Sequence, residues 1–122
     1  MKSVLLVDDQ PHVIRVLKLS LERAGYQVNF AHNGKEGLDF ILRQFPDAMI
    51  TDIAMPMMSG RELCEAIQQN FPDRPFPIFV MTSMTERSER EWLAAIDNIH
   101  FLEKPLSPRQ LTATLDNYFA DL

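Results

Sequence analysis

The chain has 122 residues, 46% of them apolar and 24% charged, with 17 acidic against 12 basic side chains and a net charge of −5. Those values describe one globular domain over residues 1–122 and exclude a disordered or fibrous chain. The negative balance disfavours direct contact with nucleic acid, and no apolar run approaches the roughly 18 residues of a membrane span.

Asp8 interrupts the N-terminal apolar stretch before a signal peptide could develop. The single cysteine, Cys64, excludes an internal disulfide and any all-cysteine metal site. Together these features predict a small cytoplasmic domain.

In chain order, Ser3 to Val7 is a continuous apolar run, the signature of a strand covered on both faces. Pro11 opens a helix that carries Val13, Leu17, Leu21 and Ala24 and stops at Gly25. Residues 26–30 alternate as a half-buried strand. A second helix starts at Asn33 and Gly34, carries Leu38, Ile41, Leu42 and Phe45, and closes before Pro46. Ala48 to Thr51 is the third strand, and Asp52 to Gly60 breaks periodicity as a loop. The third helix, with Leu63, Ala66 and Ile67, ends near Asn70.

Pro72 to Pro77 reads as a stiff spacer, followed by a strand from Ile78 to Met81. Ser83 and Glu86 have the spacing of a capping box, which predicts a fourth helix through Trp92 and Ala95. Ile99 to Leu102 is a brief fifth strand. Ser107, Pro108 and Gln110 open a last helix that turns Leu111, Leu115, Tyr118 and Phe119 inward. Five strands in strict alternation with five helices predict a doubly wound α/β fold, a parallel sheet of order 2-1-3-4-5 with helices on both faces.

In such sheets ligands bind beyond the carboxyl ends of the strands. Asp8 and Asp9 follow the first strand, Asp52 the third, Thr82 the fourth and Lys104 the fifth. Any one of these is a common turn or cap residue; their convergence on one sheet edge is what carries information. Carboxylates about 4 Å apart repel by roughly 4 kcal/mol at an effective dielectric of about 20. Asp8, Asp9 and Asp52 must therefore protonate, spread apart or bind a cation. Hard oxygen donors without His or Cys select Mg²⁺, Mn²⁺ or Ca²⁺ over zinc. A divalent ion facing a lysine and a hydroxyl suits a phosphoryl group attacked by a carboxylate, and the lack of a glycine-rich nucleotide loop argues against ATP as its direct donor.

These residues resemble the receiver domain of two-component response regulators over essentially the whole chain. The resemblance rests on the pair Asp8-Asp9, on Asp52 with Pro56 and Gly60 four and eight residues beyond it, and on Thr82 and Lys104-Pro105 at 30 and 52 residues beyond it, with Phe101 three before the lysine. It implies the flavodoxin-like version of the fold, and Asp52 as the acceptor of a phosphoryl group from a phosphohistidine on a sensor kinase or phosphotransfer protein. It implies Mg²⁺ held by Asp9 and Asp52, with Asp8 acting through water and the Ala54 carbonyl completing the set. Lys104 would pair with the phosphoryl oxygens. Thr82 and Phe101 would move together and reshape the face of the fourth helix, fifth strand and fifth helix, where a downstream effector or output domain binds. Dimerisation through the fourth and fifth helices is left open, as is a longer parent chain.

The sequence departs from the receiver pattern in three places. Asn98 and Asp97 stand six and seven residues before Lys104, where small residues are usual, which implies a differently shaped loop. Ser83 follows Thr82 and is still small enough for phosphate access. Ala54 and Met84, two beyond Asp52 and Thr82, orient a hydrolytic water poorly, which implies a long-lived phosphorylated state. Two other readings stand beside the first: a degenerate receiver acting as a scaffold, and a Mg²⁺-dependent phosphatase, which usually needs a second acid where Ala54 sits.

Among the remaining residues, Met55, Met57 and Met58 read as loop packing or a mobile contact surface, Met55 facing inward. Cys64 reads as a structural thiol, and His12 as a solvated helix-start residue. His32 and His100 lack metal-ligand spacing, and His100 adjoins the output face. Trp92 is either a partner anchor or packed against the fifth strand.

Overall fold

The computed structural model describes residues 1–83 and 86–121. Five strands, β1 (Ser3–Val7), β2 (Gln27–Ala31), β3 (Ala48–Asp52), β4 (Ile78–Thr82) and β5 (Ile99–Glu103), alternate with five helices. The helices are α1 (Pro11–Arg23), α2 (Gly34–Arg43), α3 (Gly60–Asn70), α4 (Arg87–Leu93) and α5 (Pro108–Ala120). The sheet is wholly parallel with the order β2-β1-β3-β4-β5, the doubly wound flavodoxin-like arrangement expected from the sequence. Among the described residues, no helix is long and apolar enough to cross a membrane.

Strand periodicity divides the interior into two cores. Leu5, Val7, Met49, Ile78 and Val80 pack on one face with Ile41, Leu63, Ile67 and Leu93 from α2, α3 and α4. Val4, Leu6, Ala48, Ile50, Phe79 and Met81 pack on the other with Leu17, Leu21, Leu111 and Leu115 from α1 and α5. Side chains of β3 and β4 are buried on both faces, which is why those strands read as unbroken apolar runs. The edge strands β2 and β5 are more exposed.

Local chemistry fixes most boundaries. Gly25, at φ 97°, takes the left-handed conformation that ends α1. Asn33 caps α2 by accepting from the Glu36 amide, Ser59 and Glu62 form a capping box on α3, and Ser107 accepts from the Gln110 amide to cap α5. The second strand runs from Gln27, one residue later than its alternation suggests.

The start of α4 differs more. The Glu86 carboxylate does accept from the Ser83 amide at 2.9 Å, half of the expected box. Its own amide, however, donates to the Ser83 carbonyl at 3.1 Å, and the Ser83 hydroxyl donates to the Glu86 carboxylate at 3.1 Å. Regular helix therefore begins at Arg87 and ends at Leu93, short of Ala95, with Leu93 its one buried residue. A helix this polar has little packing to extend it.

Candidate functional site

Asp52 and Thr82 are the last residues of β3 and β4 rather than the first after them, while Asp8 and Lys104 directly follow β1 and β5. All four strand ends open on the same edge of the sheet. There, carboxylate oxygens of Asp8, Asp9 and Asp52 all lie within 4.8 Å of one another. Asp8 and Asp52 are buried and Asp9 is exposed, so the cluster faces outward through Asp9.

Each acid is held by backbone chemistry. The Asp8 amide donates to the Ala31 carbonyl on β2 at 3.1 Å, and its carboxylate accepts from the Gln10 amide at 2.9 Å. Asp52 Oδ1 accepts from the Ile53 amide at 2.9 Å and from Lys104 Nζ at 2.6 Å. Both hydrogen bonds to the Asp52 carboxylate thus converge on one oxygen. The Lys104 amide donates to the Thr82 carbonyl at 2.8 Å, which ties the lysine to the end of β4. Thr82 itself is 2% exposed.

Electrostatics follows from this crowding. Burial, with the charges of Asp52 and Asp9, raises the Asp8 pKa against the opposing Gln10 hydrogen bond and Lys104 charge. Burial alone would lower Lys104. The hydrogen bond and charge of Asp52, with Glu86 and Asp8, outweigh it and raise the ammonium above its ordinary 10.5. The lysine is therefore fully charged at neutral pH beside a carboxylate cluster that carries excess negative charge. Three carboxylate oxygens within 4.8 Å need only small side-chain shifts to ligate one Mg²⁺ at about 2.1 Å.

The loop beyond Asp52 is built to a close tolerance that the sequence only partly signals. The Gly60 amide donates to the Ile53 carbonyl at 2.7 Å, and a Cβ on Gly60 would lie 1.9 Å from the Asp52 carbonyl oxygen. A Cβ on Gly34 would lie 2.4 Å from the Met58 carbonyl that its amide contacts, so the start of α2 supports the same loop. Gly34 has no signal in the sequence beyond its place after a cap residue. Ala54 is exposed in this loop, and Met57 takes a left-handed φ of 68°. Met55 packs against the first core, as does Met58, while Met57 is exposed.

Phe101 lies on β5 in register with Val80, half-buried against the first core, beneath the Arg90 guanidinium at 4.9 Å. Trp92 is not packed against β5. It is 60% exposed on α4, with the Arg61 guanidinium 4.2 Å over its ring. His12 is exposed on the first turn of α1, and His32 makes an edge contact with Phe30. His100 stacks on Phe79 at 5.0 Å and meets Tyr118 edge-on. Cys64 is fully buried, its thiol pushed up to about 12 by desolvation, which makes it an inert core residue. Met84 lies outside the described residues.

The connector before β4 is more than a spacer. Arg74, buried between its prolines, donates through Nη1 to Gln68 Oε1 at 2.8 Å and through Nη2 to the carbonyls of Asp97 and Asn98. Asn98 takes a left-handed φ of 55° and its carbonyl also accepts from the Ile78 amide. The unusual Asp97-Asn98 pair is thus accommodated by a guanidinium anchoring the α4–β5 loop.

Comparison with known proteins bears on what such a cluster does. Residues 4–116 match the family profile described as response regulator receiver domain. The chain is 31% identical over 112 residues to the alkaline phosphatase synthesis transcriptional regulatory protein PhoP of Bacillus subtilis, covering 92% of this chain and 46% of that protein. It is 37% identical over 114 residues to the response regulator MprA of Mycobacterium tuberculosis, covering 92% and 48%. The chain thus spans about half the length of these relatives.

Among solved structures, the Vibrio cholerae chemotaxis protein CheY4 superposes with a TM-score of 0.85 at 31% identity, covering 96% of this chain and 98% of that one. The response regulator TrrA of Thermotoga maritima, solved in complex with Mg²⁺-BeF, superposes with a TM-score of 0.82 at 30% identity, with the same coverage.

Proposed function

The chain belongs to the response regulator receiver domain family, a family of signalling domains, and on that premise we propose that Asp52 is its phosphoacceptor. The observation that carries this is the 2.6 Å contact of Lys104 Nζ with Asp52 Oδ1 inside a cluster of three carboxylates. With Oδ1 held by Lys104 and the Ile53 amide, Oδ2 is the oxygen placed to attack phosphorus. As the new P–O bond forms, the bond from phosphorus to the donor breaks, and the donor nitrogen or oxygen leaves with its electron pair. The Lys104 ammonium shifts its hydrogen bond from the carboxylate to a phosphoryl oxygen.

Asp9, Asp52 and, through water, Asp8 would hold Mg²⁺, with the Ala54 carbonyl as a further donor. When bound, the ion offsets charge on the phosphoryl oxygens. The donor set fits it, since all donors are hard oxygens and the cluster is over-charged without a cation. A related receiver was solved with Mg²⁺ and BeF, which supports the assignment. The physiological donor we propose is a phosphohistidine on a sensor kinase or phosphotransfer protein.

Phosphorylation adds about −1.5 to −2 charges to the end of β3. Thr82, buried at the neighbouring strand end, and Phe101, two registers back on β5, are placed to respond. The response would alter the surface of α4, β5 and α5 that an effector or output domain reads. Borohydride reduces an acyl phosphate to an alcohol, so treating phosphorylated protein should convert Asp52 alone to homoserine. Homoserine at another acid, or at none despite phosphoryl incorporation, contradicts the assignment.

A further inference from the structure

Beside the end of β4 lies a cavity of about 290 Å³, lined by Thr82, Ser83, Arg87, Arg90, Glu103 and Lys104. Asp52 is not in its wall, but Lys104, which is, contacts the Asp52 carboxylate. Phe101 is not in its wall. The ring lies beside it, on the same face of β5 as Glu103 two residues on.

Arg90 separates the two. Its guanidinium lies 4.9 Å over the Phe101 ring, and Nη1 reaches Glu103 Oε1 at 3.8 Å, so one side chain spans the ring and the cavity rim. Glu103 is 82% exposed and holds Arg90 only loosely. The ring contact is the more specific one, because a planar guanidinium covers an aromatic face. For Phe101 to enter the space beside Thr82, Arg90 must first leave its position.

We propose that Arg90 is a gate on Phe101: by covering the ring and bridging to Glu103, it holds the ring out of the cavity beside Thr82 and thereby limits how readily Asp52 is phosphorylated. This rests on the reading of Asp52 as phosphoacceptor and Phe101 as the responding residue. Arg90 touches neither phosphorus nor its donor, so it is a positioning residue. It acts by weighting two arrangements of one ring, and a receiver that spends more time in the phosphate-ready arrangement takes the group faster. Arg87 lines the same cavity, and among the described residues it is Arg90 and not Arg87 that covers the Phe101 ring, which makes Arg87 the control for a general effect of charge.

The test uses protein labelled with fluorophenylalanine, with the Phe101 signal among the eight phenylalanines identified by its loss in Phe101→Leu. Two quantities are read in the parent, Arg90→Met, Arg90→Lys and Arg87→Met: the initial rate of phosphorylation by acetyl phosphate with Mg²⁺, and the exposure of the Phe101 fluorine to a dissolved paramagnetic agent. Arg90→Met should raise the rate about three-fold, the scale of one exposed cation–ring contact, and should reduce exposure of Phe101 as the ring enters the cavity. Arg90→Lys should fall between, and Arg87→Met should match the parent in both.

Increased exposure of Phe101 in Arg90→Met would mean the arginine merely shields a ring that stays outside, and overturns the gate. So would an unchanged rate, or an equal rise in Arg87→Met. Should the parent take no phosphoryl group, the phosphoacceptor reading fails, and the gate is still decided by the fluorine exposure alone. Arg90 is 48% exposed, so its variants should melt with the parent, and a shared melting temperature keeps unfolding out of the comparison.

Discussion

The Arg74 guanidinium donates to the Asn98 carbonyl from 3.3 Å and to the adjoining Asp97 carbonyl. A side chain preceding β4 thereby fixes the loop that leads into β5, on which Phe101 and Lys104 depend.

Arg74→Ala should therefore destabilise the fold by about 2 to 3 kcal/mol, the range for buried hydrogen bonds to a charged donor. Urea unfolding followed by circular dichroism measures this. A loss below about 0.5 kcal/mol, typical of a plain surface change, would show that the loop does not rely on the tie.

Gly60 bears directly on Asp52. With a Cβ placed 1.9 Å from the Asp52 carbonyl, Gly60→Ala must displace either the end of β3 or the start of α3. The expected cost is about 3 kcal/mol, with slower phosphorylation in whatever fraction stays folded. A variant with parental stability and parental phosphorylation rate would contradict the packing described.

How much of this was legible in the sequence depends on how local its cause is. The strands and the edge where Asp8, Asp9, Asp52, Thr82 and Lys104 meet were readable, because apolar runs and the polar residues that end them are adjacent in the chain. Helix caps at Asn33 and Ser107 were readable from spacing, whereas the capping box of Ser59 and Glu62 went unread at the end of a loop. The start of α4 was not, because the Glu86 amide takes the Ser83 carbonyl and regular helix begins only at Arg87. Arg74 gave no signal either, since its partners lie 23 and 24 residues away. Trp92 is equally suited to core or surface by sequence, and only the short α4 and the Arg61 guanidinium over its ring decide for the surface.

The charge crowding at Asp8 has a definite sign. Its carboxyl has a raised pKa in the fold, so its stabilising contribution is complete below 3.8, the unfolded value, and is lost as pH rises through the folded value. At neutral pH the ionised group opposes folding. Asp8→Asn should accordingly melt higher than the parent in a chelator, and lose that advantage when Mg²⁺ is added to both. A lower melting temperature for the variant in chelator would refute the crowding.

His100 behaves oppositely. Burial lowers its pKa below 6.5, so the stability it contributes is present above 6.5 and is lost as pH falls through the lowered folded value. His100→Phe keeps an aromatic ring against Phe79 and Tyr118 without the titration. Between about pH 7 and about pH 5 it should lose less stability than the parent. Parallel profiles would place the acid sensitivity elsewhere.

Ala54 offers no side chain to direct a hydrolytic water. The phosphorylated chain should be long-lived, and Ala54→Asn with Met84→Glu should shorten its half-life, followed as loss of the phosphoryl group after donor removal. Equal half-lives would show that hydrolysis is limited elsewhere.

Signalling through this chain, as proposed, depends on Asp52 taking the phosphoryl group. Intact mass after incubation with acetyl phosphate and Mg²⁺, run beside Asp52→Ala, tests that most directly. The expected result is a gain of one phosphoryl group in the parent and none in the variant. The same gain in both would place the phosphoryl group on another residue and contradict it.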